Sequence, residues 1–235
     1  MKAISLIIAF LSLGLTLFSC AARIDGTVAA NGSAVLNINM SLERQMTSLI
    51  QRVSAAGGQS DGQVIDGASI AISMMNAPGI ASTTLRNTSR SAVAGEIRIS
   101  KIDEFLSTAG GSGFITFEQR TAGGRILINI NHDNGPEILE LLSPEISDYL
   151  NALMSPIATG EKISKAEYID IVTSFYSKAI SDEIAASRIR ASIDFPGNIS
   201  SLRGGTSSGR RANFDIPLLD LLVLETPLSY EVVWN

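Results

Sequence analysis

The chain has 235 residues, of which 45% are hydrophobic, and a formal net charge of −5 at pH 7. A chain of this length can bury a sizeable core without covalent staples. The acidic balance argues against nucleic acid as a partner, because neutralising phosphates requires clustered Lys and Arg. With one histidine and one cysteine, a multi-histidine metal site and an intrachain disulfide are both excluded.

The N-terminal segment has the pattern of an export leader. Lys2 precedes an unbroken run of apolar and small residues from Ala3 to Phe18, shorter than the roughly 20 residues that a transmembrane helix needs. The run has the size of the apolar part of a secretory signal, so residues 1–19 are predicted to be a signal peptide. Two alternatives stay open: an ordinary secreted protein cleaved elsewhere, and an uncleaved anchor.

The leader ends in Leu17-Phe18-Ser19-Cys20. This motif resembles the lipobox of bacterial lipoproteins and is similar to the relaxed lipoboxes of spirochaetal ones. The resemblance implies cleavage before Cys20 and attachment of several acyl chains, palmitate among them, to that residue. Two or three chains anchor a protein firmly, since each buried CH₂ contributes about 0.8 kcal/mol. We therefore expect a location in the cell envelope, lipid-anchored to a membrane on its periplasmic side or at the cell surface.

Residues 20–235 are predicted to form a single domain that begins with strands. Arg23 to Val28 and Ala34 to Met40 alternate with period two around the turn Asn31-Gly32, which predicts a hairpin starting almost at the lipid surface. Ser41 is the predicted N-cap of the helix that follows. The next signals predict a helix at 67–76, strands at 80–86 and 92–100, and a hairpin of strands at 114–118 and 126–130.

The middle of the chain has a helical pattern. Apolar residues recur at steps of three and four through residues 134–186, and Ser164-x-x-Glu167 matches a capping box. Strand patterns return at 188–195, 212–216 and 229–234. The sequence therefore predicts an α+β fold, in which antiparallel β hairpins or a sheet pack with helices and a helical pair is inserted around 134–186.

The candidate catalytic residues do not form a set. His132 lies among Asn131, Asp133 and Asn134, where a turn at the start of a helix accounts for the pattern. Residues 205–209 have the form of a nucleophile elbow, but they lack the preceding strand, the following helix and a later histidine. We predict no catalytic residue, no metal site and no cofactor.

Arginines gather around a Gly/Ser-rich loop in the C-terminal part of the chain. They are candidates for contact with lipid headgroups or a protein partner, at about 1 kcal/mol per residue if they lie against an anionic membrane. The alternative is an exposed basic hairpin with no ligand. The residues are Arg188, Arg190, Arg203, Arg210 and Arg211.

The closing region carries a second resemblance. The segment Ile189-x-Ala191-x-Ile193-x-Phe195-Pro196-Gly197-Asn198 is followed by a Gly/Ser loop, a strand and a strand ending in Trp234. This order is similar to the C-terminal part of LppM-type envelope lipoproteins, as is the cysteine followed at once by a hairpin. The resemblance implies a lipid-associated α+β domain close to the membrane. The chain departs from the pattern by lacking a C-terminal transmembrane helix and by carrying the 134–186 helices.

Three functions follow from these patterns. The favoured one is a non-enzymatic envelope lipoprotein that binds a lipid or another envelope protein at the membrane face. The alternative is a structural or host-facing surface lipoprotein that acts through a flat patch. A hydrolase is the least favoured, because Ser207 or His132 would have to meet an acid in one pocket. A tightly packed domain with no groove between the helical pair and the sheet would count against a lipid ligand.

Overall fold

The computed structural model describes residues 22–56, 64–108, 113–120, 123–136, 150–151 and 153–235. It confirms the α+β class, since these residues form seven helices and two mostly antiparallel sheets. The leader and Cys20 lie outside the described residues, as does most of the helical segment predicted between 137 and 152. Among the helices in the described ranges, none is long and apolar enough to span a bilayer.

The larger sheet contains eight strands. They are β1 (Ala22–Val28), β2 (Ala34–Ser41), β3 (Ile80–Thr83), β4 (Arg86–Ser89), β5 (Ala92–Ile99), β8 (Arg188–Asp194), β10 (Thr206–Ser208) and β11 (Arg211–Pro217). Their order is β10–β11–β8–β1–β2–β5–β3, and β4 also pairs with β5. Neighbours are antiparallel except β1 and β8, which run parallel and place Ala22 beside Ile189.

Each face of the larger sheet has its own chemistry, because successive side chains of a strand point to opposite sides. On β1, Ile24 and Val28 share one side, while Arg23, Asp25 and Thr27 share the other. The strand registers extend this division across β8, β11, β2 and β5. We call the second side the polar face; it consists of Arg23, Asp25, Thr27, Asn37, Asn39, Glu96, Arg98, Arg188, Arg190, Ser192, Asp194, Arg211, Asn213 and Asp215.

The smaller sheet packs against the apolar side of the larger one. Its strands are β6 (Ile115–Arg120), β7 (Gly123–Ile130), β9 (Ile199–Arg203) and β12 (Leu228–Trp234), in the order β6–β7–β12–β9. Val93 and Ala212 of the larger sheet are fully buried in one cluster with Val232 and Trp234 of the smaller sheet. Burying apolar surface between the two sheets supplies the first core.

Helices build a second core. The described helices are α1 (Arg44–Ala56), α2 (Gly67–Met75), α3 (Ile102–Thr108), α4 (Pro156–Thr159), α5 (Lys165–Phe175), α6 (Lys178–Ala186) and α7 (Leu218–Val223). Helices α2 and α3 join the first core through Ala71 and Leu106. Helices α1 and α4–α7 surround a separate apolar cluster that includes Tyr168, Val172 and Ile184. We call these five helices the helical cap.

The helical cap lies at one end of the larger sheet. Helix α1 follows β2, α6 leads into β8, and α7 follows β11. These junctions share an end with the start of β1, because Ala22 pairs with Met40 and Ile189 while Pro217 pairs with Arg188. The first described residue therefore lies beside the cap.

The helix starts include one confirmed prediction and one error. The capping box is present, with Glu167 N donating to Ser164 Oγ at 3.2 Å and Ser164 N donating to Glu167 Oε2 at 2.8 Å. Ser41 was predicted to cap α1, but it is the last residue of β2. The amides of Gln45 and Met46 instead donate to the two carboxylate oxygens of Glu183, each at 2.9 Å.

Candidate functional site

An open depression of about 720 Å³ lies on the polar face where β1, β8 and β11 run side by side. Charged side chains of both signs line it: Arg23 and Asp25 from β1, Arg190 from β8 and Asp215 from β11. Gly204 and Gly205, between β9 and β10, and Thr206 at the start of β10 form part of its rim. The depression is thus a polar surface site with balanced charge.

Ion pairs fix the charged side chains of this depression. Arg188 Nε donates to Asp215 Oδ1 at 2.8 Å, and Arg190 Nε lies 3.6 Å from the same oxygen. Arg23 Nε donates to Asp25 Oδ2 at 2.7 Å. Since all five side chains are at least a third exposed, these pairs orient the guanidinium groups more than they stabilise the fold.

The polar surface continues across the sheet. A second open depression of about 530 Å³ shares Arg23 and Asp25 with the first and reaches Asn37 and Asn39 of β2 and Glu96 of β5. Amides, carboxylates and guanidinium groups therefore follow one another over five neighbouring strands. Such an open surface suits a polar ligand.

The structure divides the five predicted arginines among three places. Arg188 and Arg190 lie at the end of β8 next to Ala22. Arg211 pairs with Asp194 at the opposite end of β8, and Arg210 precedes it in the β10–β11 turn. Arg203 belongs to the smaller sheet. Whether any of them contacts a headgroup or a partner stays a prediction.

Arginines outside this depression also form ion pairs with carboxylates. Arg203 Nη2 donates to Glu231 Oε2 at 2.9 Å, and Glu231 also accepts from Arg125 Nε at 2.7 Å. Arg211 Nε donates to Asp194 Oδ1 at 2.9 Å. Hydrogen bonds from Arg211 hold the pKa of Asp194 below its ordinary value, and the same contact raises the pKa of Arg211.

Sequence reasoning missed Arg23 as part of the site. Its register places it directly beside Arg190, so three arginines gather at the start of β1 instead of two. The available signal was the period-two pattern Arg23-x-Asp25 followed by Asn37-x-Asn39, which puts polar residues on one face of a hairpin. The pairing with β8 could not be read from that pattern, because it joins distant parts of the chain.

The two candidates for catalysis lie in a turn and on an edge strand. His132 follows β7 in a turn where Asn131 Oδ1 accepts from the amides of Asp133 and Asn134 at 2.8 and 3.1 Å. Ser207 is an exposed residue of the short edge strand β10, so the predicted loop contains a strand. Within the described ranges, no three His, Cys, Asp or Glu side chains are placed to hold a metal ion.

Helices α5 and α6, in the described part of the predicted helical segment, bury apolar side chains. Tyr168, Val172, Ile180 and Ile184 are at most 1% exposed, and Leu224 after α7 is equally buried. The hydroxyl of Tyr168 donates to Leu153 O at 3.3 Å, and burial raises its pKa.

Comparison with known proteins gives little further guidance. No family model matches the chain, and no curated protein matches it. Among solved structures, the chain is similar to the folded domain of the LppM protein of Mycobacterium tuberculosis, determined by NMR. That similarity covers 92% of this chain and 91% of the other, at 8% sequence identity and a TM-score of 0.39. The sequence resembles LppM-type lipoproteins, and the structural similarity to LppM is weak. That similarity carries no functional argument.

Proposed function

We propose that this protein is a non-enzymatic envelope lipoprotein, held by lipid on Cys20, whose polar face contacts anionic lipid headgroups at its anchored end. The contact residues are Arg23, Arg188 and Arg190. The observation that carries the proposal is the position of β1, which begins at Ala22 beside Ile189.

The chain between Cys20 and β1 is too short to hold the domain away from a bilayer. Two residues span at most about 7 Å from Cα to Cα. A lipid on Cys20 would therefore keep the start of β1 at the level of the headgroups. Arg23 is the second residue of that strand, and Arg190 lies directly beside it.

The chemistry of these arginines suits a phosphate group. A guanidinium binds phosphate through two parallel hydrogen bonds, in the geometry that it uses for carboxylates. Asp215 holds Arg188 and Arg190 on the sheet surface before a lipid arrives. Anionic headgroups then compete with this carboxylate for donors that are already oriented, and each arginine contributes about 1 kcal/mol.

The test measures arginine accessibility in the lipidated full chain. The protein is produced in a bacterium that processes lipoproteins, and the mass of its N-terminal peptide gives the lipid on Cys20. A Cys20→Ser variant provides the unlipidated control. The purified protein is placed in vesicles of anionic or zwitterionic lipid and treated with phenylglyoxal, after which each modified arginine is identified by mass spectrometry.

We expect anionic vesicles to slow modification of Arg23, Arg188 and Arg190 relative to zwitterionic ones. Arg210 and Arg211, at the far end of β8, serve as internal controls and should react equally in both. An unmodified Cys20 would refute the anchor. Equal reactivity of all five arginines in both vesicle types would refute the headgroup contact.

A further inference from the structure

We infer that the helical cap is seated on the bilayer surface, with Phe175 inserted among the lipids and Arg44 and Arg52 facing headgroups. This inference rests on the proposed lipid anchor at Cys20. It assigns a membrane-contacting surface to helices that lie outside the polar face, and it fixes how the domain is oriented.

The geometry of the anchored end requires the cap to meet the membrane. The junctions of α1, α6 and α7 with the larger sheet lie at the end where β1 begins. A helix with its side chains is about 10 Å thick. The two Cα–Cα steps from Cys20 to Ala22 reach only about 7 Å. A layer of helices at this end is therefore thicker than the length of chain from Cys20 to Ala22, so a lipid on Cys20 would bring the helices against the bilayer.

Phe175 is the most exposed large apolar side chain in the described part of the chain. It ends α5 and is 71% exposed, whereas Tyr168 and Val172 of the same helix are fully buried. Single exposed apolar residues are ordinary on protein surfaces. Phe175 differs because it projects from the helical cap, where an aromatic ring can enter the interfacial layer of a bilayer.

Helix α1 supplies positive charge that would face an anionic membrane. Its exposed residues include Arg44 and Arg52, and the helix, Arg44–Ala56, contains no acidic residue. Within the described residues neither arginine forms an ion pair, in contrast to the arginine–carboxylate pairs of the polar face. Exposed arginines on a helix of the cap complement the negative charge of an anionic leaflet.

The experiment reads the depth of one residue in the membrane. Phe175→Trp is made in the full lipidated chain, which is then placed in vesicles with and without brominated acyl chains that quench indole fluorescence. Ser208→Trp is the matched control, since Ser208 is also exposed but lies on β10 at the opposite end of the larger sheet. The native Trp234 is 3% exposed and gives the background emission, measured in the unsubstituted protein.

We expect Phe175→Trp to add emission that shifts to shorter wavelength on vesicles and loses most of its intensity with brominated lipid. Emission added by Ser208→Trp should keep its wavelength and intensity. Quenching of Ser208→Trp but not of Phe175→Trp, or of neither, would overturn the inference. Vesicle flotation and the Cys20 mass report the anchor separately, so a chain that floats with an unquenched Phe175→Trp refutes only the seating of the cap.

Discussion

At the scale of single residues, charge on the larger sheet is organised in arginine–carboxylate pairs. Arg188 and Arg190 share Asp215, Arg23 contacts Asp25, and Arg211 contacts Asp194. Paired guanidinium groups keep their positive charge but hold a fixed direction. A basic cluster in the sequence therefore becomes a nearly neutral surface in the fold, and its binding properties depend on which carboxylates a ligand can displace.

The pair between Arg211 and Asp194 predicts a local pH effect. We expect Arg211→Gln to raise the pKa of Asp194 toward its ordinary value, because the hydrogen bonds that lower it are lost. A lowered folded-state pKa contributes stability at neutral pH that disappears as the pH falls through that pKa, so the variant should lose less stability on acidification. NMR titration of the Asp194 carboxyl carbon measures the shift.

Arg120→Gln is the control for this titration, since Arg120 lies on β6 of the smaller sheet and pairs with Glu118. It should leave the pKa of Asp194 unchanged. An Asp194 pKa that is equal in the wild type and in Arg211→Gln would show that the carboxylate is not held by this arginine in solution.

At the scale of elements, α1 depends on a residue far away in the chain. The amides of its second and third residues, Gln45 and Met46, donate to Glu183 of α6. A carboxylate at a helix N-terminus satisfies two orphan amides and interacts favourably with the helix dipole. The contact therefore joins two helices of the helical cap and sets where α1 begins.

Removing the Glu183 carboxylate should destabilise the protein measurably. We expect Glu183→Ala to lower the free energy of unfolding by about 1 kcal/mol, the usual cost of losing an N-cap. Asp182→Ala is the matched control, because Asp182 is exposed and its ion pair among the described residues is the i,i+4 pair with Lys178, worth about 0.5 kcal/mol or less. Urea unfolding followed by circular dichroism compares the variants, and equal losses for both would contradict the role of Glu183.

The predictions of strands and helices are correct where a local sequence pattern determines the secondary structure. Strands β1, β2, β5, β8, β11 and β12 follow period-two alternation, and the capping box before α5 needs only residues within one turn. Ser41 failed as a cap because its pairing with Ala92 keeps it in β2. The sequence does not predict strand β9 or helix α7, because segments of five and six residues are too short to show a clear periodicity. Of the candidate site, Arg188 and Arg190 were predictable, whereas Arg23 and Asp215 required knowledge of strand order.

At the scale of the whole molecule, the end of the chain completes the first core. Strand β12 lies between β7 and β9 and ends in Trp234, which is 3% exposed. The ring centroid of Trp234 is 4.9 Å from that of Phe195 and 6.2 Å from that of Phe117. The indole thus contacts aromatic side chains from two other parts of the chain, and its packing reports the integrity of the core.

We expect Trp234→Ala to lower the free energy of unfolding by about 3–5 kcal/mol, because it removes a buried ring and leaves a cavity. Trp234→Phe keeps an aromatic ring in place and should cost clearly less. Denaturant unfolding monitored by circular dichroism gives both values, since the indole itself is lost as a probe. A cost for Trp234→Ala near that of a surface substitution would contradict the packing described here.

The parallel pairing of β1 with β8 has a consequence for the order in which the protein folds. Strand β1 can pair with β2 as soon as both exist, but its other neighbour arrives only near the end of the chain. Contacts between such distant segments carry a high entropic cost and slow folding. A chain made from its N-terminus therefore keeps one edge of β1 open until β8 emerges, and an open edge invites pairing with other chains. Protection of that edge during synthesis is a requirement that this topology imposes on the cell.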